Sequence, residues 1–317
     1  MNRASKLALA GDNDGALRDL DEAIRLSPNL AGAYSNRGVI YLQKHDYPRA
    51  ILDFDAALGL DPTLASAFNN RGNAYNELGQ HETAIANYGQ ALRLRPIYPL
   101  ALINRAMAYM ALGQLDQALR DVDHSYRLKT EPLALRVRGQ ILDKQGDSTG
   151  AIQAYTRAIQ LLGTYGEVYG LRADVYSSLG QLEAALADYD KALSLGREDP
   201  INLNNRCWVR ALMGRDLPLA LQDCDRAISL EDSAPARATR AFVHLRMGSM
   251  DLALADTEGG LRLDSKNADS LFLRGAVRHE LGLGAEAKAD TDAAMAINPA
   301  VGKPYFDAGV AVWANPS

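Results

Sequence analysis

Apolar and small residues return along this chain in a single phase. Across residues 31–64 the marked positions are Tyr34, Gly38, Tyr41, Ala50, Phe54, Ala57 and Pro62, and the next stretch supplies Phe68, Gly72, Tyr75, Gly79, Ala84, Tyr88, Ala91 and Pro96. A short polar signature keeps the same beat: Asn36-Arg37-Gly38, Asn70-Arg71-Gly72 and Asn104-Arg105-Ala106, 34 residues apart. Apolar residues three and four apart mark one face of a helix, and a Gly between two such runs marks a turn. Each period therefore predicts two antiparallel helices, and a fixed period of this length belongs to a stacked repeat array.

These positions closely resemble the tetratricopeptide repeat, a helix-turn-helix unit, over almost the whole chain. The resemblance implies an all-α, right-handed α-solenoid of about nine repeats with a C-terminal capping helix. In phase, the chain divides into a partial repeat at 1–30, repeats at 31–64, 65–98, 99–131, 132–165, 166–199, 200–233, 234–267 and 268–301, and a cap at 302–317, all within one solenoid spanning 1–317. The inter-helix turns read Gly79, Gly113, Gly146, Gly180, Gly214, Gly248 and Gly282, with His45 standing in the second repeat. Glycine takes a positive φ there without a Cβ clash, and His is among the residues that tolerate it. A missing residue before Pro132 and an extra one within 215–218 both fall in connections, where length varies cheaply. Small residues on first helices (Gly38, Gly72, Gly139) are expected to face the small Ala50, Ala84 and Ala151 on second helices. Tyr305, Phe306, Val310 and Trp313 are spaced for one amphipathic helix after Pro304, read as a cap or as a partner-docking motif.

Charge changes the picture by exclusion. The net charge is −5, with acids and bases mixed along every helix, which speaks against a nucleic-acid surface and its basic stripe. No apolar run reaches the ~20 residues a bilayer span needs, so no membrane insertion is expected. The first motif, Asn2-Arg3-Ala4, places the start of the sequence inside a helix, as a frayed cap or a chain whose leader has been removed. The chain as it stands reads as cytoplasmic, and as periplasmic or exported if a leader was removed and the two cysteines are joined.

Catalytic and metal chemistry find no foothold in the pattern. The five histidines (His45, His81, His124, His244, His279) sit at different places in their repeats, with none of the spacing a zinc helix uses. Asp12-Asn13-Asp14-Gly15 lacks the ligand spacing of a calcium loop, and Gly282-Leu283-Gly284 lacks the rest of a phosphate cradle. No catalytic residue, metal or cofactor is assigned, and the reading is non-enzymatic.

Arg recurs in the first helix of every repeat (Arg37, Arg71 and Arg105 among them), and Asp recurs in most second helices (Asp53, Asp121, Asp188, Asp223, Asp256, Asp290). Regular Arg–Asp pairing is the preferred explanation, worth only ~0 to 1 kcal/mol per exposed pair; an arginine-lined anion groove is the alternative. Cys207 and Cys224 share one repeat, at the small position of its first helix and the aromatic position of its second, so their side chains point into one seam. Two buried thiols and a disulfide both fit there. The surrounding Asn204-Asn205-Arg206-Cys207-Trp208 and Asp223-Cys224-Asp225 resemble a subgroup of bacterial tetratricopeptide proteins, often exported ones.

By that family resemblance, first helices line a groove that takes extended peptides or partner segments. The family's carboxylate clamp is incomplete here: Asn73 and Asn104 match its asparagines, but its basic positions fall on Asn69, Leu133 and Val137. Asn2, Asn36, Asn70 and Asn104 instead occupy one repeat position and resemble the asparagine ladder of O-linked N-acetylglucosamine transferases. Amides donate and accept, so a row of them can pair with any peptide backbone; the alternative is local capping. Asn69, Asn73 and Asn76 are expected to widen the surface; the row breaks at Val137 and Leu171 and returns at Asn205, and a more apolar region lies near Trp208, Val243 and Phe272. The chain is read as a protein-interaction scaffold or adaptor, with the recognition arm of a larger enzyme or secretion assembly, or a self-associating scaffold, as alternatives.

Overall fold

Each repeat folds into the two helices that its apolar positions predict. The structure, a computed structural model, describes residue 7 and residues 10–196 and 198–314; Asn2, Arg3 and the last three residues lie outside them. The helices belong to two compact units, Met1–Leu161 and Leu162–Ser317. The first holds α1 (Asn13–Leu26), α2 (Ala31–Gln43), α3 (Tyr47–Leu60), α4 (Ala65–Glu77), α5 (His81–Leu94), α6 (Pro99–Ala111), α7 (Leu115–Leu128), α8 (Pro132–Lys144) and α9 (Ser148–Leu161). The second holds α10 (Gly166–Ser178), α11 (Leu182–Leu195), α12 (Pro200–Met213), α13 (Leu217–Leu230), α14 (Ala234–Arg246), α15 (Met250–Leu263), α16 (Ala268–Glu280), α17 (Gly284–Ile297) and the short α18 (Lys303–Asp307). Both units are all-α stacks of helical hairpins.

The turns form as the glycines require. At Gly79 (φ 72°) the Gly79 N–H donates to Asn76 O at 3.0 Å and the Gln80 N–H to Tyr75 O at 2.9 Å, the bond pair that closes a helix around a left-handed residue. His45 reproduces it at φ 58°, with Asp46 N–H donating to Tyr41 O at 2.8 Å. The extra residue near 215 is absorbed by a second left-handed position, Asp216 (φ 55°), shortly after Gly214 (φ 66°).

Within a repeat, the small residue of the first helix also meets the aromatic of the second. A Cβ added at Gly38 would lie 2.9 Å from the Phe54 ring, at Gly72 2.7 Å from Tyr88, and at Gly139 2.4 Å from Tyr155. Small residues of the two helices share a core, as Ala106 does with Ala118 and Ala173 with Ala185, and the ring one turn beyond the second-helix Ala also reaches across. These rings are almost fully buried, each contributing roughly 1.5–3 kcal/mol.

A lattice of ion pairs fixes the register. Arg37 donates to Asp53 through Nε (2.8 Å) and Nη2 (2.7 Å), and Arg105, Arg172, Arg206, Arg240 and Arg274 grip Asp121, Asp188, Asp223, Asp256 and Asp290 with the same fork. These Asp residues are buried, so the pairs are not the exposed kind the sequence suggested. Several first-helix guanidiniums also reach back to the preceding repeat: Arg37 to Asp21, Arg206 to Asp190, Arg240 to Asp225, and Arg71, held in its own repeat by Asn87, to Asp55. Each such Arg therefore ties two successive second helices together. Most of these cations already have carboxylate partners, which removes the anion-groove alternative.

First helices of neighbouring repeats also touch each other, α2 with α4, α4 with α6 and α6 with α8 in one unit, α10 with α12, α12 with α14 and α14 with α16 in the other. Second helices do not approach to that extent, so the first-helix face is the inner one in each unit. The expected single C-terminal helix is shorter than its spacing implied. After α18 the chain turns at Gly309 (φ 76°) and Ala311 (φ 52°) and ends the described region in a 3₁₀ turn, Val312–Ala314.

Candidate functional site

The first-helix face of the N-terminal unit carries an asparagine cluster whose positions follow from helix spacing. Asn69, Asn73 and Asn76 stand three and four residues apart on α4, hence on one side, and Asn104 approaches from α6. Asn104 Nδ2 donates to Asn69 Oδ1 (3.1 Å) and Asn73 Oδ1 (3.0 Å). The Tyr88 hydroxyl, rising from α5, donates to the same Asn73 oxygen at 2.8 Å. Burial, aided by Glu77, pushes the Tyr88 phenol well above its usual value, so it stays a donor. Asn76 Oδ1 pairs with His81 Nδ1 at 2.8 Å.

Hydrogen-bonding capacity decides what the cluster still offers a ligand. Both Asn104 amide protons are engaged, which leaves its carbonyl oxygen as the group it offers; the Asn73 oxygen accepts twice, which leaves its amino group. Asn73, Asn76 and Asn104, with Tyr47, Glu77 and Met107, line a cleft of about 400 Å³. The cleft wall thus includes one side chain with an amide donor to spare and one with an amide acceptor to spare.

Beside the row foreseen at one repeat position, the hydrogen bonds join a cluster drawn from two repeats, Asn69 and Asn73 of one and Asn104 of the next. Asn69 is only 1% exposed, and it donates to Asn70 Oδ1 at 3.1 Å; it supports the surface from beneath rather than widening it. Asn36 and Asn70 are partly exposed but are not among the residues of the cleft wall. Asn2 falls outside the described residues.

The C-terminal unit holds the second group. Asn205 Nδ2 donates to Asp174 Oδ1 at 2.9 Å, and the Tyr189 hydroxyl donates to that oxygen at 2.5 Å; burial and then the Asp174 charge push the Tyr189 phenol up. Trp208 lies one turn beyond Asn205 and joins it in a cleft of about 710 Å³ with Ser177, Leu182 and Leu212. Beneath Trp208, Cys207 and Cys224 are joined, Sγ to Sγ at 2.08 Å. The bridge occupies the seam that Gly38 and Phe54 occupy in their repeat, which is why these two positions meet.

Among the described residues, no three His, Cys, Asp or Glu side chains come together as a metal site, and no helix is long and apolar enough to cross a membrane. The sequence reading missed the back-reaching carboxylates Asp21, Asp55, Asp190 and Asp225. Their signal was present: each stands two residues after a second-helix Asp, as in Asp53-Phe54-Asp55.

Models of the tetratricopeptide repeat match residues 6–44, 72–113, 31–64 and 166–199. Among curated proteins, the chain is 32% identical over 133 residues to tetratricopeptide repeat protein 36 of Bos taurus, covering 41% of this chain and 70% of that one. It is 28% identical over 159 residues to a repeat-containing protein of Methanocaldococcus jannaschii and 28% over 183 residues to a DnaJ homolog of subfamily C of Schizosaccharomyces pombe. Those alignments take in 47% and 51% of this chain but span only 28% and 38% of those proteins' own length. Among solved structures, a tetratricopeptide repeat protein of Parabacteroides merdae superposes with a TM-score of 0.57 at 18% identity, over 93% of this chain and 96% of that one. The Cut9–Hcn1 hetero-tetramer of the APC/C gives 0.63 at 16% identity, over 94% and 59%. At these identities the structural likeness carries the fold.

Proposed function

Because the chain belongs to the tetratricopeptide repeat family, whose members generally serve as protein-interaction scaffolds, we propose that it is a non-enzymatic adaptor that binds an extended partner segment. The binding surface is the first-helix face of repeats 31–64, 65–98 and 99–131. One observation carries this reading: Asn73 and Asn104 both line one cleft, and the hydrogen bonds between them and from Tyr88 leave the Asn73 amino group and the Asn104 carbonyl unengaged. An extended peptide alternates N–H and C=O along its edge, so this pair matches backbone of any sequence. Met107 and Tyr47 give an adjacent side chain apolar contact, and Glu77 disfavours an acidic one.

The test is selection of a displayed random-peptide library on the full chain, followed by binding of the recovered peptides to Asn73→Ala/Asn104→Ala. Loss of one charge-free hydrogen bond at each position predicts about 10- to 100-fold weaker binding, with helicity by circular dichroism retained. Unchanged affinity removes the asparagine pair from the account.

A second reading has its own support. The alignments cover under two-fifths of the first two curated relatives, which favours a recognition arm within a larger assembly; the length of the native gene product decides it. The Cys207–Cys224 bridge supports residence in an oxidising compartment.

A further inference from the structure

The inner face of the C-terminal unit is already occupied by the chain itself. After α17 the backbone turns at Gly302 and lays α18 across the first helices of the last three repeats. The Tyr305 ring is 1% exposed. It stacks on Phe272 of α16 (5.1 Å) and stands edge-on to Phe242 of α14 (5.1 Å) and Trp208 of α12 (5.4 Å). Its hydroxyl donates to Asp269 Oδ1 at 2.8 Å. Phe306 meets the Phe272 ring at 5.5 Å, Trp313 stacks on His279 at 4.1 Å, and Arg246 donates to Ala308 O at 3.2 Å.

This is the geometry of a ligand rather than of a terminal cap. A cap covers the last hairpin, whereas Tyr305 takes its aromatic contacts from three successive repeats. The segment's backbone bonds are its own: Phe306 N–H to Gly302 O, Ala308 N–H to Pro304 O and Val310 N–H to Tyr305 O. What ties it to the groove is a tyrosine with its carboxylate acceptor, a neighbouring aromatic, the Trp313 stack on His279, small apolar contacts and one arginine. The face also continues beyond it, for Lys303, Pro304 and Asp307 form one wall of the 710 Å³ cleft whose other wall is Asp174, Asn205 and Leu212.

We propose that the first-helix face of the C-terminal unit is a docking groove for a short segment bearing a tyrosine followed directly by a second aromatic residue. Residues 302–314 are its occupant in cis, and a partner carrying the same pair displaces them. Binding at this groove is thereby gated by release of the tail, which scales apparent affinity down to the fraction of time the groove stands open. The asparagine cleft lies in the other unit, so either reading can fail while the other stands.

The probe is a fluorescent synthetic peptide of residues 300–314, titrated by anisotropy into the full chain and into full-length Tyr305→Ala/Phe306→Ala. The variant is expected to bind the peptide, the unaltered chain to bind it at least about tenfold more weakly because its own tail competes, and a peptide carrying Tyr305→Ala to bind neither. Asn73→Ala/Asn104→Ala leaves all three results unchanged. A folded variant that ignores the peptide, or equal binding by both chains, overturns the proposal. Native-state hydrogen exchange on the unaltered chain tests the same point without any variant. The amides of Phe306, Ala308 and Val310 are expected to exchange through an opening that leaves α14 and α16 protected; exchange only together with those helices overturns it.

Discussion

Replacing Asp53 by Ala should cost several times more stability than replacing Asp21 by Ala, although both carboxylates hold the same guanidinium. Asp53 takes two bonds from Arg37, through Nε and Nη2, and its side chain is 7% exposed; Asp21 takes one, at 2.6 Å, and is 56% exposed. Removing one partner of a buried pair costs about 3–5 kcal/mol when the other charge is stranded. Arg37 keeps Asp21 and a fifth of its surface in water, so the loss for Asp53→Ala falls to about 2–3 kcal/mol. Asp21→Ala removes an exposed contact worth ~1 kcal/mol or less, and its effect fades in high salt. Urea unfolding followed by far-UV circular dichroism reads both, taking the first transition because repeat arrays need not unfold in one step. Arg37→Met/Asp53→Leu should recover most of the Asp53→Ala loss, since the stranded charge goes with its partner. Equal shifts for the two single variants, or no recovery in the double, would refute the claim that burial rather than pairing sets the energetics.

Gly139→Ala places a Cβ 2.4 Å from the buried Tyr155 ring, and overpacking of about 1–3 kcal/mol outweighs a helix-propensity gain of about 1 kcal/mol, so its Tm falls. Gly89→Ala meets nothing closer than an Arg105 nitrogen at 4.0 Å and should instead raise Tm; a shift of the same sign for both contradicts the packing assignment. Reduction of Cys207–Cys224, whose partners are 17 residues apart, should lower stability by roughly 3 kcal/mol, and thiol titration of the denatured, unreduced chain should find no free thiol. Burial of His244 holds its pKa below 6.5, against the pull of Asp256 at 3.8 Å. The folded ring binds its proton less tightly than the unfolded one, so its stabilisation stands above pH 6.5 and is lost as pH falls through the lower folded value. The urea midpoint of the C-terminal unit should therefore drop between about pH 7 and pH 5, with a flatter profile in His244→Gln; identical profiles exclude His244 as a source.

The period exposed the hairpins because each repeat must bury the same face against its neighbour, and the left-handed turns left glycine or His45 between the two helices of a repeat. The cysteine seam was legible for the same reason, since Cys207 and Cys224 replace a pair that the repeats of Gly38, Gly72 and Gly139 bring into contact. Contacts between residues one turn apart on a helix were harder to separate: Phe54 stands one turn beyond Ala50, and its longer side chain brings the ring to within 2.9 Å of a Cβ at Gly38. Links between repeats were harder still, because Asp21 and Asp55 act on an Arg of the next unit and their spacing to it crosses a boundary. The asparagine row was visible, but Asn104 turns its amide toward Asn69 and Asn73 rather than along the row. The C-terminal segment has helical spacing, yet Gly309 and Ala311 turn left-handed, and what their turn follows is a groove made by three distant helices.

The central claim is that partners bind on the inner, first-helix face. A photo-reactive amino acid placed at Asn76, in the asparagine cleft, or at Glu82, exposed on the second helix of the same repeat, tests it against a peptide recovered by selection on the unaltered chain. The account predicts cross-linking from position 76 and none from position 82; cross-linking from position 82 alone would contradict it.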